Sequence, residues 1–165
     1  MTNKIINEEI SEPDKSKFIP LKRIGIVSIK MIREKNILFD IRVINSPKDA
    51  EKLGRMFLEN ADREEFMICC LDNKNKPTLI NIVSVGSINK SIVHPREVFK
   101  AAILSNAVSI MLFHNHPSGD IEPSNEDINI TGRLKKCGDI IGINIIDHII
   151  IGDREYYSFK EKGLL

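Results

Sequence analysis

The pattern of apolar and polar residues predicts two strands near the start of the sequence, RIGIVSIKMI at 23–32 and NILFDIRVI at 36–44, and it alternates cleanly in the second. Successive side chains of a strand point to opposite faces, so this period of two is typical of a half-buried strand. We therefore expect a β-hairpin extension over residues 18–45. The polar residues 1–17 before it are expected to form a flexible arm.

From residue 46 onward, helical and strand-like spacings follow one another. Ser46-Pro47-Lys48-Asp49 predicts a helix start, because serine can cap the free N–H groups, proline suits the first helical position and Asp49 can complete a capping box. Further helices are expected at about 95–106 and from Ser124 onward, and strands at about 65–71, 78–85, 108–113, 143–151 and 156–159.

This order of elements predicts an α/β (or α+β) sandwich, in which helices flank a mixed β-sheet. Residues 46–165 contain the whole pattern and are expected to form one domain. A chain of 165 residues leaves little material for a second domain. The run at 108–113 is apolar except for Ser109 and predicts a central strand. Polar residues follow its C-terminal end, where sites gather in α/β sheets.

Charge and hydropathy limit the classes of partner. The chain has 24 basic and 23 acidic residues, a net charge of +1, which predicts no overall attraction to nucleic acid or to a membrane surface. Residues 15–35 hold seven basic residues and one acidic residue, a pattern that favours a solvated face over a phosphate-binding one. No apolar run is long enough to span a bilayer, and the N-terminus lacks the apolar core of a signal peptide, so we expect a cytoplasmic protein.

The three cysteines predict neither a disulfide framework nor a thiolate metal site. Cys69 and Cys70 are neighbours in an apolar run, and their side chains are expected on opposite faces of a strand. The sequence has no Cys-x-x-Cys pair, so we expect reduced, buried thiols.

The residues best suited to chemistry lie around the end of the central strand. His114 and His116 are two positions apart, which places both imidazoles on one face and close enough to share a cation. Asp127 follows in the first turn of the third helix, and the loop between can fold that turn back over the histidines. Two histidines and one aspartate would leave an open position on zinc, as in catalytic sites. Asp127 also suits a helix start through the helix dipole, so this reading competes with a structural one.

The spacing His114-x-His116-x7-Ser124-x2-Asp127 resembles the metal motif of the JAMM (MPN-plus) metalloprotease family. The wider segments HPREVF at 94–99, HNHPSGDIEPSNED at 114–127 and DHIIIG at 147–152 resemble its bacterial RadC-like branch. This resemblance covers roughly residue 46 to the end of the chain. It implies a JAB/MPN domain, of cytidine-deaminase-like architecture, over residues 46–165.

The resemblance also implies the roles of individual residues. His114, His116 and Asp127 would bind Zn²⁺, and Ser124 would donate a hydrogen bond to the reacting oxygen. An upstream glutamate would act as general acid and base through a metal-activated water. Strand alternation allows only one of Glu64 and Glu65 to face the metal. The RadC-like pattern of a glutamate two residues before an aromatic residue favours Glu64, and Glu65 is the alternative. Ser124 also suits the helix cap, and these two duties compete.

Other polar residues near these motifs have structural readings of equal or greater weight. We expect His94 to cap a helix or otherwise to serve the structure, and Asn115 to point away from the metal. His148 is expected to pack within its strand, with Asp147-His148 as an alternative pair behind the ligands. Asp120 and Glu122 suit either substrate contact or ordinary loop polarity.

Three functions follow, from different classes. The first is a zinc-dependent hydrolase that cleaves an amide or isopeptide bond in a peptide or protein substrate. The second, suggested by the RadC-like branch, is a DNA repair accessory protein or a metal-dependent nuclease. The near-neutral charge supports DNA binding only weakly, and the first 45 residues are too short for the helix-hairpin-helix segment of longer RadC-like proteins. The third is a binding module, which would need no base beside an open metal position.

Overall fold

The computed structural model of the chain describes residues 23–86 and 93–165. These residues form helices α1 (Pro47–Leu58), α2 (Pro95–Leu104) and α3 (Asn125–Ile141). They also form strands β1 (Glu65–Leu71), β2 (Pro77–Val85), β3 (Ser109–Asn115), β4 (Asn144–Ile151) and β5 (Tyr156–Ser158). The predicted boundaries from residue 46 onward agree with these elements to within two residues, and α3 extends to Ile141.

The five strands form one sheet in the order β2-β1-β3-β4-β5. Strand β1 pairs antiparallel with both β2 and β3, whereas β3 pairs parallel with β4, and β4 antiparallel with β5. The sheet is therefore mixed, and the predicted fold class is confirmed. Strand β3 lies at its centre with all seven residues buried, as the continuous apolar run predicts.

The helices pack on both faces of this sheet. One apolar cluster joins α1 to one face, and Leu53, Met67 and Phe113 are among its buried members. A second cluster joins α2 and α3 to the other face, and it contains Phe66 and Leu112. Neighbours such as Phe66 and Met67 belong to different clusters because successive strand residues point to opposite faces. His114 has the same parity as Leu112, so it lies on the face of α2 and α3.

The helix caps follow the sequence signals. Ser46 and Asp49 form the capping box expected at α1, and Ser124 and Asp127 form another at α3. Gly142 ends α3 in the left-handed conformation, with φ of 82°, which glycine adopts without steric cost.

The expected hairpin is not formed in the part of the chain that the structure describes. Residues 23–45 contain no strand or helix, so this interpretation of the alternating pattern is wrong there. In the first run Ile24 is 88% exposed and Ile26 102%, so its apolar side chains pack against nothing. In the second run Phe39 and Ile44 contact the apolar cluster around α1, but without forming a strand. Two strands alone are marginally stable in water, which accounts for the difference. The arm expected at 1–17, and residues 18–22 of the hairpin, lie outside the described residues.

The two adjacent cysteines lie on opposite faces of β1, as predicted. Cys69 belongs to the cluster around α1 and Cys70 to the cluster around α2 and α3. Both are buried free thiols, and Cys137 is also free. Burial raises the pKa of both Cys69 and Cys70, which keeps them protonated and unreactive. No helix among the described residues is long and apolar enough to cross a membrane.

Candidate metal centre

Three potential metal ligands converge where β3 ends and α3 begins. His114 lies in β3, and His116 follows the strand, where its backbone N–H bonds to the carbonyl of Ile151 at the end of β4. Asp127 is the third residue of α3. The intervening residues 117–123, here called the metal loop, bring the helix start back over the two histidines. The structure thus places together the three residues that the motif predicts.

The distances between the three side chains suit a shared ion. The Nε2 atoms of His114 and His116 are 3.0 Å apart. Asp127 places Oδ1 3.3 Å from Nε2 of His114 and Oδ2 3.7 Å from Nε2 of His116. Ligand atoms about 2.0–2.1 Å from a tetrahedral ion would lie roughly 3.3 Å from one another. The group could therefore hold a metal ion without large rearrangement.

The hydrogen bonds of the two imidazoles direct their lone pairs toward each other. Nδ1 of His116 lies 2.7 Å from the carbonyl oxygen of Asp120. A carbonyl only accepts, so Nδ1 carries the proton and Nε2 of the neutral ring is left with a lone pair. Nδ1 of His114 is engaged by Nε2 of His148 at 2.8 Å. The two facing Nε2 atoms repel unless a cation or a proton lies between them, so the arrangement is compatible with a bound cation.

Burial and charge set the protonation of the ligands. Burial lowers the pKa of His114 to about 4, although the charge of Asp127 opposes this shift. For His116 the hydrogen bond with Asp127 raises the pKa, against a smaller effect of burial. Burial also acts to raise the pKa of Asp127, but hydrogen bonding to His116, the charge of His114 and the bonds from Ser124 outweigh it and lower that pKa well below its usual range. The site therefore holds an ionised carboxylate beside a neutral, buried imidazole.

Ser124 is fully engaged as the cap of α3. Its hydroxyl oxygen accepts the backbone N–H of Asp127 at 3.1 Å, and the hydroxyl lies 2.6 Å from Oδ2 of the same residue. The backbone N–H of Ser124 donates to that oxygen as well, at 2.8 Å. These bonds hold Oδ2 and leave Oδ1 directed at His114. Ser124 thus orients a ligand, and its expected bond to a reacting oxygen stays a prediction.

The two candidate glutamates act on different neighbours. The Glu64 carboxylate is among the groups that raise the pKa of His116, whereas the Glu65 carboxylate acts on Arg63. This difference associates the charge of Glu64 with a metal ligand and agrees with the preference for Glu64 that the family resemblance implies.

Asn115 lies between the two histidine ligands in sequence and, as predicted, serves the structure. Its side chain accepts the N–H of Glu65 at 2.8 Å and donates to the carbonyl of Arg63 at 3.0 Å. These two bonds flank Glu64 and fix the backbone on either side of it. The N–H of Gly86 also donates to the carbonyl of Glu64, at 2.8 Å.

A second layer of polar residues lies behind His114, and sequence reasoning found only part of it. Nδ1 of His148 lies 2.6 Å from the hydroxyl oxygen of Thr131, which donates to the carbonyl of Asp127. His148 was expected to pack within its strand, with a pair to Asp147 as the alternative. The side chain is packed within the sheet, 0% exposed, as predicted. Its ring nitrogens bond His114 and Thr131 rather than Asp147, which contacts only its backbone N–H. The spacing of Thr131, four residues after Asp127 on the same helix face, was the available signal.

The remaining polar residues have structural contacts. His94 accepts the backbone N–H of Arg96 and so caps α2, which is one of the roles predicted for it. The carboxylate of Asp120 accepts the backbone N–H of Glu122 and so bends the metal loop. Gly152 supports the same loop, because a β carbon there would lie 2.6 Å from the carbonyl oxygen of Gly119. A substrate contact by Asp120 or Glu122 stays a prediction.

Comparison with known proteins identifies a family to which this chain is similar. The sequence profile of the RadC-like JAB domain matches residues 44–164. A UPF0758 protein of Desulfitobacterium hafniense is 52% identical over 123 residues, which are 74% of this chain and 54% of the relative. A UPF0758 protein of Clostridium acetobutylicum is 54% identical over 127 residues, which are 77% of this chain and 56% of the relative. Another, of Rubrobacter xylanophilus, is 50% identical over 123 residues, which are 74% of this chain and 54% of the relative. The chain spans about half the length of these curated relatives.

Proposed function

The chain belongs to the RadC-like JAB domain family, and we propose that it is a zinc-dependent hydrolase of peptide-like bonds. The observation that carries this proposal is the pair of facing Nε2 atoms of His114 and His116, 3.0 Å apart, with a carboxylate oxygen of Asp127 3.3 Å from the first of them. Two imidazoles and one carboxylate form the three-ligand set of open, catalytic zinc sites. A structural site would instead be closed by a fourth protein ligand.

The ligand set favours zinc over the other common divalent ions. Magnesium and calcium prefer several oxygen ligands, whereas this site supplies two nitrogens. When bound, the ion supplies Lewis-acid chemistry, which lowers the pKa of a water molecule and polarises a substrate carbonyl. His114, His116 and Asp127 would hold the ion, and the bonds from Ser124 orient Asp127.

Glu64 is the proposed general acid and base. Hydrolysis of an amide needs a group that takes a proton from water and later gives it to the leaving amine, and a carboxylate beside the metal ligands suits both steps. The influence of Glu64 on His116 supports this assignment, as do the two bonds from Asn115 that flank it. Ser124, at the N-terminus of α3, is the proposed donor to the oxygen that gains negative charge, and for this its hydroxyl proton has to turn from Oδ2 of Asp127 to that oxygen.

The substrate is proposed to be a peptide or protein, cleaved at an amide or isopeptide bond, in the cytoplasm. A role on DNA, as a repair accessory or a nuclease, is the alternative within the RadC-like family. The net charge of +1 gives the chain no overall attraction to phosphate, whereas binding to a nucleic-acid backbone depends on an excess of basic residues. The peptide reading is therefore favoured.

A degradation screen tests this proposal with matched variants. The Zn²⁺-loaded protein is incubated with a library of unstructured peptides of known sequence, and new termini are identified by mass spectrometry. We expect cleavage by the wild type and by Glu65→Gln, and a loss of at least about 100-fold in Glu64→Gln, since a general base contributes 10²–10⁴-fold. Equal cleavage by Glu64→Gln and the wild type would overturn the role of Glu64. A wild type that cuts no peptide but nicks supercoiled plasmid DNA would favour the alternative.

A further inference from the structure

A buried hydrogen-bond network connects His114 to the helix that carries Asp127. It consists of His114, His148, Thr131 and the backbone carbonyl of Asp127, and this set is called the buried network below. We infer that Thr131 and His148 are positioning residues that fix the tautomer of His114, and thereby the strength with which the site binds a divalent ion. This inference rests on the proposed function in one respect, that the site binds a metal.

Proton positions in the buried network follow from its last member. Thr131 has one hydroxyl proton, and the backbone carbonyl of Asp127, 2.6 Å away, only accepts, so the proton points there. The hydroxyl oxygen must then accept from Nδ1 of His148, also at 2.6 Å. Nδ1 of neutral His148 therefore carries its proton, and Nε2 of that ring is left with a lone pair.

The same argument continues to the metal ligand. Nε2 of His148 lies 2.8 Å from Nδ1 of His114, so Nδ1 of His114 must donate. The proton of His114 is then on Nδ1, and the lone pair is on Nε2, the atom that faces His116 and Asp127. A metal needs that lone pair, so the hydroxyl of Thr131 selects the tautomer that can bind it.

Burial makes this selection strict. His114 and His148 are 0% exposed and Thr131 is 1% exposed, so water does not replace a lost partner. The ring of His148 is also held in place, because it stacks on Phe159 with centroids 4.8 Å apart and meets the edge of Phe66 at 5.5 Å. The buried network starts at the backbone carbonyl of Asp127 and ends at His114, whose Nε2 faces the carboxylate of the same aspartate. It therefore fixes a ligand from β3 relative to a ligand from α3.

Removal of the Thr131 hydroxyl is expected to change the tautomers of His148 and His114. In Thr131→Val the shape of the side chain is kept, but Nδ1–H of His148 loses its acceptor, and a buried unpaired donor is costly. His148 then favours the other tautomer, with its proton on Nε2, which donates to Nδ1 of His114. The proton of His114 moves to Nε2, the atom that should bind the metal.

The test measures Zn²⁺ affinity by competition with a chelator at fixed pH. We expect Thr131→Val to bind Zn²⁺ about 10–100-fold more weakly than the wild type, the usual effect of losing such a partner. Thr131→Ser keeps the hydroxyl and is expected to bind like the wild type. Thr78→Val is the matched control, because its hydroxyl donates to the carbonyl of Cys70 on another strand. It should lower the free energy of unfolding without a change in Zn²⁺ affinity.

Two results would overturn the inference. Wild-type Zn²⁺ affinity in Thr131→Val would show that the hydroxyl does not matter, and equal weakening in Thr131→Ser would point to packing. Nitrogen-15 NMR of the metal-free protein reads the tautomers directly. We expect Nδ1–H on His114 and on His148 in the wild type, and an Nε2–H on wild-type His114 would also overturn the inference. Another outcome is a wild type that shows the expected tautomers but binds no Zn²⁺. That result would contradict the proposed function and the part of the inference that concerns metal binding, whereas the tautomer assignment in the buried network would stand.

Discussion

The side-chain oxygen of Asn115 accepts the backbone N–H of Glu65 at 2.8 Å, across fifty positions of sequence. Its amide group at the same time donates to the carbonyl of Arg63 at 3.0 Å. Asn115 thus acts as a short strand partner for the segment that carries Glu64, at the point where β1 begins. The residue between the two histidine ligands therefore serves the proposed acid and base rather than the metal.

Replacement of Asn115 by alanine is expected to loosen Glu64 and to leave the metal ligands in place. The N–H of Glu65 and the carbonyl of Arg63 each lose their bond to the Asn115 side chain. The loss is expected to lower the free energy of unfolding by about 1–3 kcal/mol. Hydrogen exchange should become faster at the amide of Glu65, while the amides of α3 keep their protection. Zn²⁺ content should stay that of the wild type, and peptide cleavage should fall. Unchanged exchange at Glu65 would contradict the positioning role of Asn115.

Gly152→Ala is expected to disturb the metal loop. A β carbon there would lie 2.4 Å from Cγ2 of Ile121 and 2.6 Å from the carbonyl oxygen of Gly119, so the loop must move. We expect a loss of about 1–3 kcal/mol in the free energy of unfolding, measured in urea. Weaker Zn²⁺ binding should accompany it, because the loop also supplies the carbonyl that orients His116.

Gly132→Ala is the matched control for the Gly152 variant. A β carbon at Gly132 meets no heavy atom within 4 Å, and the residue lies inside α3. Alanine there should stabilise the protein by about 0.5–1 kcal/mol, since glycine is costly in a helix. If Gly152→Ala were as stable as the wild type and bound Zn²⁺ equally well, the proposed support of the metal loop by Gly152 would be wrong.

The metal-free protein is expected to lose stability in acid before its carboxylates titrate. The unfolded chain protonates histidine below about pH 6.5, whereas burial keeps His114 neutral in the folded state down to a pKa of about 4, and that of His148 lies well below its usual value. The unfolded state binds more protons in this window, so stability falls as the pH decreases. His114 alone accounts for roughly 3 kcal/mol between pH 6.5 and 4.

His116 acts in the opposite direction and in a different window. Its raised pKa means that its contribution is present below about pH 6.5 and is lost as the pH rises through the folded pKa. Urea unfolding with excess chelator, from pH 8 to pH 4.5, measures both effects. We expect the highest stability near pH 6.5. Stability that rises steadily from pH 6.5 to 4.5 would contradict neutral, buried histidines.

Much of the fold from residue 46 onward could be predicted, because local signals and burial agree there. The apolar run before His114 gave the central strand, and the serine caps gave the starts of two helices. The metal ligands were predicted by their spacing in the motif together with the two-residue period of a strand. Each of these signals depends on residues that are close in sequence.

The rest depends on contacts that sequence spacing does not report. The alternating run at 23–44 has the composition of a hairpin, but a period of two does not show whether an apolar surface covers it. The buried network joins His114 to His148 across 34 positions and His148 to Thr131 across 17. Only the parallel pairing of β3 with β4, and the crossing of α3 over them, brings these side chains together.

Metal analysis of the purified protein tests the central claim most directly. We predict about one Zn²⁺ per chain in the wild type, as expected for a three-ligand site. Glu64→Gln and the helix-cap control His94→Ala should keep this content, since neither residue is a proposed ligand. His116→Ala should reduce it to near zero. Zinc retained at the wild-type level in His116→Ala, with the fold intact by circular dichroism, would contradict the assignment of the metal centre.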